Sequence, residues 1–143
     1  MSSYVLDSCV VAKLILHEEG SGRAFEIMNE FLRLGIRPAM LDLARIEVTN
    51  VLWKSYRRRL VSSDRLAELF ELLVSLPFEI ERTDLHLKEA LRIGTSFDCA
   101  IYDALFVAVA ASKNLQGVTT DEKLYRSVHK GYPSIRLLRD FVL

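Results

Sequence analysis

The sequence predicts an α/β fold in which a parallel sheet of about five strands is sandwiched between helices. Short apolar segments alternate along the chain with longer segments in which apolar residues recur at helical spacing. This alternation is typical of parallel sheets that are covered on both faces. No repeat, low-complexity tract or Pro- and Gly-rich linker divides the sequence, so we expect residues 1–143 to form a single domain.

Five segments are predicted as strands. Asp7 ends the first, Gly35 precedes the second, and Pro77 precedes the third. Pro38 lies inside the second segment, which favours a strand end or an edge strand because proline has no N–H to donate. The predicted ranges are 4–6, 36–41, 78–80, 117–119 and 135–138.

Seven segments are predicted as helices. In the second of them the apolar residues fall on one helical face, and Gly35 ends it. Residues suited to N-caps stand at the start of the last five, namely Asp42, Ser63 or Asp64, Asp84, Asp98 and Asp121. The predicted ranges are 12–17, 22–34, 42–59, 63–76, 84–93, 98–113 and 121–129.

Composition and charge exclude several classes of protein. Nineteen basic and nineteen acidic residues give a net charge of zero, which excludes the strong positive field of a dedicated duplex-DNA binder. Asp7 and Lys13 interrupt the N-terminal apolar residues, so no secretory signal is predicted. The apolar stretch 104–112 is far shorter than the roughly 20 residues of a membrane span. Because Cys9 and Cys99 form neither a metal motif nor a disulfide framework, we expect a cytoplasmic protein with free thiols.

Four acidic residues stand out by their positions. Asp7 and Asp121 follow the first and fourth predicted strands, at the edge of the sheet where ligands bind in open α/β folds. Asp103 interrupts a helix that is apolar almost all round, and Glu47 lies among apolar residues of another helix. A lone buried carboxylate is costly unless it is neutralised, hydrogen-bonded or bound to a metal.

Each acid also has an ordinary structural interpretation. Asp7 suits a turn at a strand end, Asp121 suits an N-cap, and Glu47 suits an exposed helix face. Asp103 fits a capping role less well, because Asp98 stands five residues earlier. Taken together the four carboxylates predict a shared site, since crowded carboxylates repel one another unless divalent cations compensate. Hard ions such as Mg²⁺ or Mn²⁺ suit such an all-oxygen site.

Four segments carry these acids: 4–14 (YVLDSCVVAKL), 47–54 (EVTNVLWK), 102–110 (YDALFVAVA) and 118–121 (VTTD). In order and spacing they resemble the PIN-domain family and, within it, the VapC-type toxins of toxin–antitoxin pairs. The resemblance implies a three-layer α/β/α sandwich in which Asp7, Glu47, Asp103 and Asp121 are the catalytic, metal-binding acids. It also implies an Mg²⁺- or Mn²⁺-dependent endoribonuclease that acts on RNA, forms a homodimer and is silenced by a cognate antitoxin.

One position departs from the family's pattern. Many relatives have Ser, Thr or Asn two residues after the first Asp, where this chain has Cys9, a weaker hydrogen-bonding group, with Ser8 beside it. Thr119, two residues before the last acid, keeps the family's hydroxyl; the alternative is a strand residue that bonds only locally. The candidate substrate-binding residues are therefore Ser8 and Thr119, together with Lys13, which lies one or two helical turns beyond the first acid.

Two further features leave alternatives open. Lys54 and the arginines at 57–59 end the helix that carries Glu47, where they either hold RNA or complement the helix dipole. Apolar residues recur thickly in segment 66–76, which predicts either a well-buried helix or a groove for an antitoxin helix or another protomer.

Two rival functions come from other classes. A catalytically silent PIN-like module would use the same fold only to bind proteins. A receiver-like phosphoacceptor domain would need adjacent acids after the first strand, but Ser8 follows Asp7, and the third strand leads to Arg82-Thr83-Asp84, so this fit is poor.

Overall fold

The computed structural model describes residues 2–143 and confirms the predicted α/β class. The strands are β1 (Tyr4–Leu6), β2 (Ala39–Leu41), β3 (Glu79–Glu81), β4 (Gln116–Thr119) and β5 (Ile135–Leu137). The helices are α1 (Ser8–Ile15), α2 (Ser21–Arg33), α3 (Asp42–Arg57), α4 (Ser63–Ser75), α5 (Leu87–Phe97), α6 (Ile101–Ser112) and α7 (Glu122–Val128). Short 3₁₀ turns lie at Asp84–His86 and Leu138–Asp140.

The five strands form one parallel sheet in the order β3-β2-β1-β4-β5. The chain moves outward from β1 to β3 and then returns past β1 to β4 and β5. Because crossovers between parallel strands are right-handed, this reversal places α1–α4 on one face and α5–α7 on the other. Helix α1 packs against α2, α3 and α4, and α5 packs against α6, which gives the predicted three layers.

Helix α6 supplies much of the core under the sheet. Every residue from Ala104 to Ala110 is buried. Gly117 in β4 lies so close to it that an added Cβ would stand 2.8 Å from both Phe106 Cζ and Ile135 Cδ1. Glycine at this position therefore lets the Phe106 ring pack directly against the strand.

The predicted element boundaries needed several corrections. Helix α1 begins at Ser8 rather than at residue 12, because the Asp7 side chain caps it by accepting from the Ser8 amide. Strand β2 begins at Ala39, just after Pro38, which has no N–H for the ladder. The N-cap of α4 is Ser62, one residue before the predicted start.

The predicted cap at Asp98 is wrong. Asp98 is the C-cap of α5 in the left-handed conformation, with φ 52°, and α6 begins at Ile101 without a side-chain cap. Asp is enriched both at N-caps and in the left-handed region, so residue type alone does not separate the two roles. Asp84 is not an N-cap either: it is the first residue of a 3₁₀ turn, and its carboxylate pairs with Arg82. The predicted cap at Asp42 is also wrong, because Asp42 is already the first residue of α3 and Leu41 is the N-cap.

The strand order fixes where a ligand site is expected. The direction of travel reverses between β1 and β4, and clefts at such switch points lie at the carboxyl ends of the strands. This order also differs from the 2-1-3-4-5 order of receiver domains, which excludes that alternative. No single helix within residues 2–143 is long and apolar enough to cross a membrane.

Candidate active site

Asp7 and Asp121 meet at the switch point of the sheet. Strands β1 and β4 pair in parallel with Leu6 opposite Val118, and the Asp7 amide donates to the Val118 carbonyl at 2.9 Å. Each acid follows the last residues of its strand, so both emerge at the same edge. The structure thus brings together the two strand-end acids that the sequence predicted to share an edge.

The carboxylate of Asp7 is held by three donors. The Thr119 hydroxyl donates to Oδ2 at 2.7 Å, and the Ser8 amide donates to Oδ1 at 2.9 Å. The Cys9 thiol also donates to Oδ2, at 3.5 Å. This partly buried carboxylate is therefore fixed in one orientation by residues from β4 and from the start of α1.

Thr119 also organises the last acid. Its hydroxyl oxygen accepts the Asp121 amide at 3.1 Å, and Asp121 Oδ1 in turn caps α7 by accepting the Leu124 amide at 3.0 Å. Thr119 is completely buried. The hydroxyl retained from the family's pattern is thus a link between Asp7 and Asp121 rather than a surface that a substrate reaches.

Cys9 takes part in the same network, which its residue type did not predict. Its sulfur lies 3.5 Å from the Thr119 hydroxyl and accepts the Thr120 amide at 3.4 Å. Burial, followed by the charge of Asp7, raises the pKa of the Cys9 thiol to about 11. The thiol therefore stays protonated near neutral pH and serves as a donor to Asp7.

Glu47 and Asp103 reach this site from helices α3 and α6. Both side chains are half-buried, and Asp103 lies in the first turn of α6. Burial raises the pKa of Glu47, and the charges of Asp7 and Asp103 raise it further, while hydrogen bonding from Ser8 lowers it. The pKa of Glu47 thus depends on the charges of two of the other acids.

The pKa values of Asp103 and Asp7 also depend on burial and on neighbouring groups of the site. Burial is the main cause that raises the pKa of Asp103, and the charges of Asp7 and Asp121 add to it, while Lys123 acts in the opposite direction. Burial also raises the pKa of Asp7, against the hydrogen bonds from Thr119, Ser8 and Cys9. Four acids from distant parts of the chain therefore form one electrostatic cluster.

The donor chemistry of this cluster suits a hard divalent cation. All four side chains are carboxylates, and their mutual repulsion is the kind that a divalent ion relieves. Within residues 2–143, however, no three Asp, Glu, His or Cys side chains are already arranged around a common point that would hold an ion. Hydrogen bonds already orient Asp7 and Asp121, and Glu47 and Asp103 would supply the remaining carboxylate oxygens to an ion.

The predicted basic residues lie outside the cluster. Lys13 pairs with Glu18, with Nζ 3.2 Å from Oε1. Arg57 lies over the Trp53 ring, ten residues beyond Glu47 in α3, which is about 15 Å along a helix axis. Sequence reasoning did not single out Lys123, because one lysine two residues after an acid carries no pattern of its own.

Comparison with known proteins identifies the family. The PIN domain model matches residues 4–130. Ribonuclease VapC3 of Pyrobaculum aerophilum is 32% identical over 124 residues, which cover 84% of this chain and 90% of the relative. A toxin–antitoxin complex from Klebsiella pneumoniae matches with a TM-score of 0.68 at 13% identity, covering 95% of this chain and 98% of that chain. VapC20 of Mycobacterium tuberculosis, a toxin that cleaves the sarcin–ricin loop, matches with a TM-score of 0.62 at 17% identity, covering 94% and 99%. The chain thus belongs to the PIN-domain family and, within it, to the VapC-type proteins.

Proposed function

We propose that this chain is an Mg²⁺- or Mn²⁺-dependent endoribonuclease and that residues 1–143 act as one nuclease domain. The observation that carries the proposal is the electrostatic coupling of Asp7, Glu47, Asp103 and Asp121 at the carboxyl edge of the sheet. Such a cluster opposes folding unless a cation or another positive group occupies it. The 32% identity to the ribonuclease VapC3 supports RNA as the substrate.

In this proposal the four acids hold the ion, and Thr119 and Cys9 orient Asp7 toward it. When bound, the ion supplies Lewis-acid chemistry that acidifies water and polarises the phosphoryl oxygens. The chain positions its two strand-end acids through the Thr119 hydroxyl, and the helix acids Glu47 and Asp103 complete the set. Lys123, whose charge acts on Asp103, lines a cavity with Asp103 and Asp121, where it would attract a phosphate.

The direct test is cleavage of a labelled single-stranded RNA with added MgCl₂ or MnCl₂. We expect cleavage only with the divalent ion, and a loss of roughly a hundredfold or more in Asp7→Asn and Asp103→Asn. Asp64→Asn is the matched control, because it removes the same charge from an exposed position in α4, outside the cluster. Cleavage that persists with excess chelator, or in both site variants, would contradict the metal mechanism.

We further propose that the protein is a toxin restrained by a cognate antitoxin in the cytoplasm. The fold likeness to a toxin–antitoxin complex supports this. Expression of the wild type should arrest growth of the host, whereas expression of Asp103→Asn should not. Growth arrest by both proteins alike would show that toxicity does not depend on the acids.

An apolar surface supports the proposed partners. Segment 66–76 is not the well-buried helix of the first alternative: Leu69 and Leu73 are buried, but Phe70 is 42% exposed. Opposite it on α3, Trp53 is 50% and Ile46 67% exposed, and a groove lies between the two helices. We propose that a second copy or the antitoxin covers this groove. Light scattering of the purified chain distinguishes the homodimer from the monomer.

The second candidate is a catalytically silent interaction module. It is favoured by the lack of a preformed three-ligand arrangement within residues 2–143 and by the exposed apolar groove. The RNA-cleavage test separates the two functions, because a silent module would bind partners but would cut RNA under no metal condition.

A further inference from the structure

A second concavity lies one strand away from the acid cluster along the same edge of the sheet. Its volume is about 300 Å³, within the range of small-ligand pockets. Thr120, which follows β4, borders it on the side of the acids, and Leu137 and Leu138, at the end of β5, form an apolar floor. The cavity and the cluster are therefore neighbours on a continuous edge and share the β4–α7 connection.

Three cationic side chains line this cavity, together with the carboxylates of Glu19 and Glu122: they are Lys13, Arg23 and Arg139. Lys13 is the most enclosed, with its side chain 16% exposed. An added Cβ on Gly20, whose φ is +87°, would stand 3.1 Å from Lys13 Cε. Glycine at this position thus leaves the space through which the lysine chain reaches the cavity wall.

Each of the three cations pairs with a carboxylate: Lys13 with Glu18, Arg23 with Glu26 and Arg139 with Glu122. The three carboxylate side chains are exposed, by 41%, 68% and 49%, so an incoming phosphate can replace them at small cost. This cavity lies next to the acids but carries three cationic side chains, which makes it the better place for a phosphate that is not being cleaved.

We propose that the cavity binds a nucleotide adjacent to the scissile phosphate of RNA, with its phosphate on Lys13 and Arg139 and its base or ribose on Leu137 and Leu138. This inference rests on the proposed ribonuclease function and adds a substrate-binding subsite to it. The Cα of Lys13 lies six residues beyond that of Asp7, about 9 Å along a helix axis. A single-stranded RNA lying along the edge of the sheet therefore reaches the acids and the cavity together.

The test is binding of a short fluorescent single-stranded RNA by the Asp103→Asn protein, measured by anisotropy at several salt concentrations. Lys13→Met should weaken binding roughly tenfold and make the salt dependence shallower, by about 0.7 in the log–log slope for one lost phosphate contact. Lys13→Arg should keep both the affinity and the slope. Arg139→Gln, at a 64% exposed side chain where folding is not at risk, should weaken binding in the same direction.

Glu18→Gln is the control that separates phosphate binding from a structural role. It breaks the same Lys13–Glu18 pair but leaves the lysine free, so RNA should bind at least as tightly as to the parent. Equal loss of affinity in Lys13→Met and Glu18→Gln, an unchanged salt slope in Lys13→Met, or no RNA binding by the parent would overturn the proposal.

RNA cleavage by the wild type and by Lys13→Met, both of which keep Asp103, separates a wrong subsite from a wrong ribonuclease function. Metal-dependent cleavage with the same kcat/KM in wild type and Lys13→Met would remove the subsite and leave the ribonuclease function standing. RNA binding that depends on Lys13, without cleavage under any metal condition, would keep the subsite and remove the ribonuclease function.

Discussion

The hydroxyl of Thr119 donates a 2.7 Å hydrogen bond to Oδ2 of Asp7, across 112 residues of sequence. The same oxygen accepts the Asp121 amide, so one buried side chain sets the spacing between the first and last acids of the cluster. Its position follows from the pairing of β1 with β4, which places the residues after Leu6 and Val118 side by side.

Thr119→Val keeps the shape of this side chain but removes both hydrogen bonds. Asp7 Oδ2 is then left with the weaker thiol donor of Cys9, and the Asp121 amide loses its acceptor. We expect the free energy of unfolding, measured in urea, to fall by about 1–3 kcal/mol. Metal-dependent RNA cleavage should fall roughly 10- to 100-fold. Thr119→Ser retains the hydroxyl and should stay close to wild type in both measurements. If Thr119→Val were as stable and as active as Thr119→Ser, the hydrogen bonds of Thr119 to Asp7 and Asp121 would have no role.

The raised pKa values of the acids make a prediction about metal-free stability. The pKa values of Asp7, Glu47 and Asp103 are higher in the folded chain than in the unfolded chain. The folded state therefore binds protons more tightly, and this favourable contribution is complete below the unfolded values near 4 and is lost as the pH rises through the raised folded values. Asp103→Asn removes one of these charges, so its Tm should exceed that of wild type by little at pH 4 and by clearly more at pH 7.

The control for this pH dependence is Glu71→Gln, which removes a negative charge from an exposed residue of α4, outside the acid cluster. Its Tm difference from wild type should change less between the two pH values than that of Asp103→Asn. MgCl₂ added at pH 7 should raise the Tm of wild type more than that of Asp103→Asn. The wild type keeps the charge of Asp103, so a bound ion relieves more repulsion among the carboxylates there. A Tm difference for Asp103→Asn that does not change between pH 4 and pH 7 would contradict the coupling.

The acids were predictable from sequence because their positions have simple physical signatures. Asp7 directly follows β1, Asp121 comes two residues after β4, and Asp103 stands just before a run of seven buried residues in α6. The parallel order of the sheet then leaves only one edge on which the strand-end acids can meet. The predicted cap at Asp98 failed because aspartate suits both an N-cap and the left-handed conformation that it adopts here.

The contacts within the site were not predictable in the same way. The partners of Cys9 depend on the register between β1 and β4, which places Thr119 and Thr120 beside it although they lie 110 and 111 residues away. Lys13 can line the second cavity only because Gly20, with a positive φ and no side chain, leaves room for it. The spacing of apolar residues along the sequence does not predict this contact. Fold and acids follow from local patterns, whereas the positioning hydrogen bonds require the assembled sheet.

The two thiols should differ in their reaction with iodoacetamide. With a pKa of about 11, roughly one Cys9 thiol in a thousand is ionised at pH 8, and its sulfur is held by three polar contacts. Burial, followed by the charges of Asp103 and Asp98, also raises the pKa of the Cys99 thiol, but Cys99 lines a cavity of about 120 Å³ and no hydrogen bond to its sulfur is found within residues 2–143. Peptide mass spectrometry should find Cys99 modified first. In Cys99→Ser the native protein should react only after unfolding, and rapid modification of Cys9 in the native state would show that the thiol is not held as described.

Gly117→Ala tests the packing that places β4, and with it Thr119 and Asp121, against α6. The added Cβ would lie 2.8 Å from Phe106 Cζ and Ile135 Cδ1, so the ring and the strand must separate. Overpacking of this kind costs about 1–3 kcal/mol in the free energy of unfolding, which urea denaturation measures. Gly22→Ala is the matched control, because no atom lies within 4 Å of its added Cβ and alanine favours the helix in which it stands. We expect Gly22→Ala to be neutral or stabilising, and equal effects of the two substitutions would contradict the close contact between β4 and Phe106.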